Sequence, residues 1–104
     1  MRTVNHFSVL GNVGSVKTFG KIAKVSIGTN RVWTDNAGDR QQRTDWVEII
    51  VLDEKQAKWV SENVETGQPA FAEGRISLNS FGDDNNRRYQ TDLIATVFNV
   101  FPKG

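Results

Sequence analysis

The 104-residue sequence contains no cysteine, which excludes a disulfide framework, thiolate metal sites and thiol nucleophiles and suits a reducing compartment. Long apolar runs are also missing: the stretch from Val9 to Val13 is broken by Gly11 and Asn12. Neither a signal peptide nor a membrane-spanning helix is therefore expected, and the reading is a soluble, cytoplasmic protein with no membrane partner. Charge of one sign is not in excess either. Thirteen Lys and Arg stand against twelve Asp and Glu, a net charge of +1, so composition does not announce a polyanion partner and any basic footprint has to be local. The single histidine, His6, has no Cys, metal-ligand cluster or glycine-rich phosphate loop to accompany it. Asp83 and Asp84 read as turn residues with nothing nearby to raise a carboxylate pKa. The expectation is no enzyme, no metal and no cofactor. Repeats, linkers and low-complexity tracts are absent too, which leaves one domain over residues 1–104, large enough to bury its own core.

What is present is a set of aromatics in unexpected places. Three Trp, six Phe and one Tyr occur at a mean hydropathy of -0.46, and several lie inside polar stretches. Alternation of apolar and polar residues marks most of the chain as strand. Asn5 to Val13 places Phe7, Val9 and Gly11 on one face and His6 and Leu10 on the other. Lys21 to Trp33 points Ala23, Val25 and Ile27 one way. In Arg43 to Leu52, Val47, Ile49 and Val51 face one side, and Trp46, Glu48, Ile50 and Leu52 the other. Pro69 to Phe81 carries the small and apolar set Ala70, Ala72, Gly74, Ile76 and Leu78, and a fifth strand runs from Arg88 to about Val100. Between the third and fourth strands, Asp53 is a plausible N-cap, Gln56, Trp59, Val60 and Val64 recur at helical spacing, and Gly67 follows; one helix is expected there, with Trp59 in the core. Segments 34–39 and 82–86 read as hairpin tips. The order β-β-β-α-β-β is that of the oligonucleotide-binding fold, an all-β five-stranded Greek-key barrel with one helix between strands three and four.

Gly11-Asn-Val-Gly, Ala23-Lys-Val-Ser-Ile-Gly-Thr-Asn, Thr44-Asp-Trp, Ala72-Glu-Gly-Arg-Ile and Arg88-Tyr-Gln-Thr-Asp occur in the order found in bacterial single-stranded DNA-binding proteins. Each motif alone is weak; together they span nearly the whole chain. The resemblance implies a homotetramer, a dimer of dimers, that wraps single-stranded DNA in replication, repair and recombination, in the cytoplasm and associated with the nucleoid.

Holding a flexible strand without reading its sequence requires cations for the phosphates and flat side chains on which any base can stack. Trp46 is the first candidate, because parity puts it opposite the face that must fill the barrel. Trp33 shares the parity of Val25 and Ile27 but lies at the start of a polar hairpin, beyond the barrel's interior, and Phe81 holds the equivalent place in the second hairpin. All three fall where the resembled family carries stacking aromatics. On residue pattern alone, Trp46 could also pack in a subunit interface, and Trp33 and Phe81 could stabilise their hairpins. Lys17, Lys21, Arg31, Arg43, Arg75, Arg87 and Arg88 are the nearby cations, expected as a group to contact phosphates. The resemblance further implies subunit contacts at Phe71 and at Val47, which stands in place of a common interface histidine; His6 is expected at the surface or an interface.

The sequence departs from that family at Leu52, where many members have a fourth stacking aromatic, and at Ser77 and Asn79, where arginines are frequent. It ends at Val100-Phe-Pro-Lys-Gly, where most cellular members continue into a linker and an acidic tip that recruits repair enzymes. The expectation is a short member without that acidic tail, either trimmed or naturally so, that does not engage tail-dependent partners. The alternative reading is a barrel of the same fold serving as an assembly module or accessory subunit of a replication or conjugation complex, its aromatics spent on protein contacts.

Overall fold

Two-residue alternation, broken at two bulges, lays the chain into five long strands in a computed structural model that describes Met1–Lys103. They are β1 (Phe7–Phe19), β2 (Ile22–Thr34), β3 (Arg40–Val51), β4 (Pro69–Phe81) and β5 (Arg88–Val100), with one helix, α1 (Glu54–Asn63), between β3 and β4. The sheet closes in the order β1-β2-β3-β5-β4. All neighbours are antiparallel except β3 and β5, which run parallel where Ile49 meets Leu93 and Ile50 meets Ile94. This is the oligonucleotide-binding barrel that the connectivity predicted, and the fourth and fifth strands have the predicted limits.

The interior is filled by Phe7 and Val13 from β1, Ala23, Val25 and Ile27 from β2, Ile49 and Val51 from β3, Ala70 and Ala72 from β4 and Phe98 from β5. Among the described residues no polar or charged side chain is buried, so the core depends on apolar burial and packing alone. The helix closes one end. The Asp53 carboxylate accepts from the Gln56 N–H, and at the other end the Val64 N–H donates to the Val60 carbonyl. Ala57 and Val60 are its buried residues, with Val64 packed alongside the core. Among the described residues, no helix is long and apolar enough to cross a membrane.

The first difference from the sequence reading is the length of β1, which continues to Phe19 rather than stopping near Val13. The β1–β2 register shifts between Val13 and Ser15, a bulge that adds one residue and reverses the side-chain parity. Before it, odd positions (Phe7, Val9, Val13) turn inward; after it, Val16 lies opposite buried Val25, and Lys17 and Phe19 turn outward. A strict two-residue alternation ends at that point, although the strand does not. The second difference is Trp59, which is 48% exposed rather than core. The inward stripe of α1 is Ala57 and Val60, with Val64 just past its end. Trp59 precedes Val60 by one residue, about 100° round the helix, and is left at the rim. The third is Ile50, which faces outward yet is buried, because it sits at the β3–β5 junction under the β4–β5 hairpin.

Two stability outcomes follow. Trp59→Ala is expected to cost about 1 kcal/mol, well short of the 3–5 kcal/mol typical of truncating a fully buried Trp; urea denaturation checks this. Gly74 lies beside a β4–β5 register shift, and a Cβ there would collide with the Ile94 carbonyl oxygen. Gly74→Ala should therefore lose about 1–3 kcal/mol, the usual cost of overpacking, in the same assay.

Candidate nucleic-acid interface

The strands outrun the barrel. β1 leaves β2 at Gly28, and from Thr29 the β2–β3 pair runs on as a free ribbon to the turn at Asp35–Gly38. β4 and β5 do the same from Ile76 to Phe81. The Asp35 carboxylate ties the first tip by accepting from the Asp39 and Ala37 N–H groups and from the Gln41 amide. These bonds, that from Asp39 foremost, hold its pKa below the ordinary carboxylate value, so tip order is fully supported above the usual aspartate range and is lost as pH falls through the lowered pKa.

Trp46 projects from the outer face of the ribbon and is 62% exposed. The Cζ3–Cη2 edge of its six-membered ring packs closely over two glycines: a Cβ built on Gly28 would stand 2.9 Å from Cζ3, and one on Gly14 would collide with the same atom. Gly14 and Gly28, by lacking side chains, thus form a seat for the indole between Ser26 and Thr44, while most of the residue stays open to solvent. The same outer face carries Ser15, Lys17 and Phe19 of β1, opposite Ser26, Lys24 and Ile22 of β2, and Glu48, Ile50 and Leu52 of β3.

From Trp46 this face descends into a groove of about 600 Å³ between the barrel wall and the β4–β5 hairpin. Ile22, Ile50, Leu52 and Ile94 form an apolar floor, Lys24 and Arg75 stand at the sides, and Phe81, 52% exposed, forms part of the far wall. Asn79, Gln90 and Asp92 line it too, the two amides donating to the Asp92 carboxylate. Arg88 is the cross-strand partner of Phe81 and shares its face. An open, half-apolar trough edged by cations and flat rings has the character expected of a site that takes bases on one side and phosphates on the other.

Trp46, Phe81, Lys17, Arg75 and Arg88 are therefore brought to one side of the molecule. The remaining predicted residues are not. Register puts Trp33, Arg31 and Arg43 on the other face of the β2–β3 ribbon; there the Arg31 guanidinium lies 4.8 Å from the Trp33 ring centroid and 3.1 Å from an Asp45 oxygen. Lys21 turns toward α1, 3.9 Å from Glu54, and Arg87 is engaged with Asp84 at 3.5 Å. Among the described residues Lys17, Arg43, Arg75 and Arg88 make no ion pair, and no group of three or more His, Asp or Glu is placed to hold a metal. Of the expected subunit contacts, Phe71 is half-buried beside exposed Leu10 on the β1–β4 outer face, His6 lies 3.8 Å from Glu73, and Val47 packs partly against the core.

Sequence reading missed two members of this face. Lys24 alternates with Ala23 and Val25, so its outward direction was legible. Phe19 was not, because the bulge at Gly14 reverses the parity from which its direction would be read.

The chain matches the Single-strand binding protein family over residues 4–101. It is 30% identical over 105 residues to a single-stranded DNA-binding protein of Rhizobium meliloti, covering 93% of this chain and 60% of that one. A counterpart in Rickettsia felis is 27% identical, with 93% and 69% covered. The chain therefore spans about 60% of the length of the first of these relatives. In structure it is similar to a Plasmodium falciparum single-stranded DNA-binding protein in complex with single-stranded DNA, at a TM-score of 0.76 and 19% identity over 98% of both chains. It is also similar to the mitochondrial single-stranded DNA-binding protein of S. cerevisiae, at 0.67 and 22% over 96% and 97%. At these identities the structural likenesses establish the fold.

Because Gly14 has no positive φ, an alanine there offends the indole rather than the backbone. In a Trp33→Phe, Trp59→Phe background, Gly14→Ala should shift Trp46 emission to the red and weaken its near-ultraviolet circular dichroism while the far-ultraviolet spectrum is kept. An unchanged emission maximum would show that the indole is not seated on the glycines.

Proposed function

We propose, from the premise that this chain belongs to the Single-strand binding protein family, that it binds single-stranded DNA without strong sequence preference. Bases stack on Trp46 and Phe81, with Trp33 adding a platform on the other side of the β2–β3 ribbon, and phosphates meet Lys17, Lys21, Arg31, Arg43, Arg75, Arg87 and Arg88. The observation that carries this reading is the exposed Trp46 indole on its glycine seat, on the same outer face of β3 as the half-apolar, cation-edged trough. A solvent-facing Trp already packed along one edge loses less conformational freedom when a base covers it than a freely rotating side chain would. Stacking on such a ring is worth roughly 1–3 kcal/mol per base and is indifferent to base identity.

The cations differ in how much they offer. Among the described residues Lys17, Arg43, Arg75 and Arg88 are without acidic partners, whereas Lys21, Arg31 and Arg87 have to exchange a carboxylate for a phosphate. That exchange weakens their net contribution.

The role in the cell is protection of single strands in replication, repair and recombination, in the cytoplasm and with the nucleoid, by binding and not by catalysis. Assembly is as a homotetramer, a dimer of dimers, through contacts that include His6, Val47 and Phe71; exposed Leu10 beside Phe71 supports an interface on that face.

Titration with oligo-dT should quench Trp fluorescence, and added salt should weaken binding through counterion release. Trp46→Ala is expected to weaken binding more than about tenfold at unchanged sedimentation and melting temperature. Arg75→Ala should lower the slope of log K against log salt by about 0.7, one phosphate contact on a single strand. No response to oligo-dT by the wild-type protein would favour a protein-docking role for the barrel.

A further inference from the structure

We infer that Phe19, with Lys17 and Lys24, forms an additional base-stacking subsite at the β1–β2 end of the trough, taking the nucleotides that continue past Trp46 and the groove floor. This rests on the single-strand reading above and extends it to a residue that reading does not use. Phe19 is the last residue of β1 and is 53% exposed. Its cross-strand partner is Ile22, a residue of the groove floor, so its ring is continuous with that floor.

The ring is held in place. A two-residue connection, Gly20-Lys21, joins Phe19 to Ile22, with Gly20 at φ +61 followed by a residue of negative φ, the pattern of a tight type II′ hairpin. The Lys24 ammonium lies over one face of the Phe19 ring, 5.1 Å from its centroid, and 3.9 Å from Glu48, which leaves the other face for a base. Lys17, opposite Lys24 and two residues before Phe19, has no acidic partner among the described residues. A flat ring with a free cation close by on the same face is also what Phe81 and Arg88 provide, there as direct cross-strand partners.

The spacing suits one continuous strand of nucleic acid. From Gly14, under the Trp46 indole, to Phe19 is about 17 Å along β1 at about 3.3 Å per residue, and the surface between carries Ser15, Lys17 and Ser26. The bulge at Gly14 accounts for both ends: it strips the backbone under Trp46 and turns Phe19 out to the same side.

Oligo-dT titrations of Phe19→Ala, Phe19→Leu and Phe19→Trp, read by salt-dependent affinity and paired with melting curves, test the subsite. Loss of a stacked base should weaken Phe19→Ala by about tenfold. Phe19→Leu, which keeps apolar bulk without a plane, should be equally weak, and Phe19→Trp should restore or exceed wild-type affinity. Wild-type affinity in the Ala and Leu variants, or rescue by Leu, overturns the inference while leaving Trp46-dependent binding in place. Should Phe19→Ala not fold, the comparison of Leu with Trp decides. Failure of the wild-type protein to bind oligo-dT would instead remove the single-strand reading itself.

Discussion

A small closed barrel can bury only a short length of each of its strands, and here the strands have twelve or thirteen residues. The remainder must leave the barrel as two-stranded ribbons, and much of the molecule's surface chemistry follows from that excess. Ile76 and Leu78 continue the inward pattern of β4 but are exposed, because there is no interior left to receive them. The two ribbons project from the same closed wall, and the groove lies where the β4–β5 ribbon stands off from β2 and β3. Its floor, Ile50 and Ile94, is core-like only because the hairpin shelters the junction where β3 and β5 run parallel.

The local devices act on that frame. The bulge at Gly14 reverses the parity of β1 and so sends Lys17 and Phe19 outward while Val16 returns to the core. Gly14 and Gly28, by lacking side chains, let an indole rest on backbone. Charge is distributed so that the near-zero net total conceals a division: Lys21, Lys24, Arg31 and Arg87 are each held by a carboxylate, whereas Lys17, Arg75 and Arg88, on the trough side, have no acidic partner among the described residues. Exposed ion pairs of this kind contribute little to stability; their effect is to leave Lys17, Arg75 and Arg88 as the cations on the trough side that can meet a phosphate without first giving up a carboxylate.

The elements were largely legible in the sequence, because β3 and β4 alternate without interruption and Asp53 and Gly67 bracket the helix. Trp46 was legible for the same reason: its neighbours Val47, Ile49 and Val51 fix its direction. Phe19 was hidden because a single inserted residue reverses an alternation without leaving a trace in composition. Trp59 was misread because helical spacing defines a stripe only to within one residue, and the helix packs with Ala57 and Val60, not the indole, turned inward. The distribution of cations between paired and free was invisible too, since partners such as Glu54 for Lys21 or Asp45 for Arg31 lie far along the chain and meet only through the folded register.

The central claim is that the solvent-facing side of the Trp46 indole is where bases lie. The three indole N–H groups give three resolvable resonances in a proton–nitrogen correlation spectrum, and their response to added oligo-dT reports on each ring separately. A large shift at Trp46 with Trp59 unmoved is the predicted result. Movement of Trp59 with Trp46 unaffected would place the nucleic acid against the helix and contradict the account.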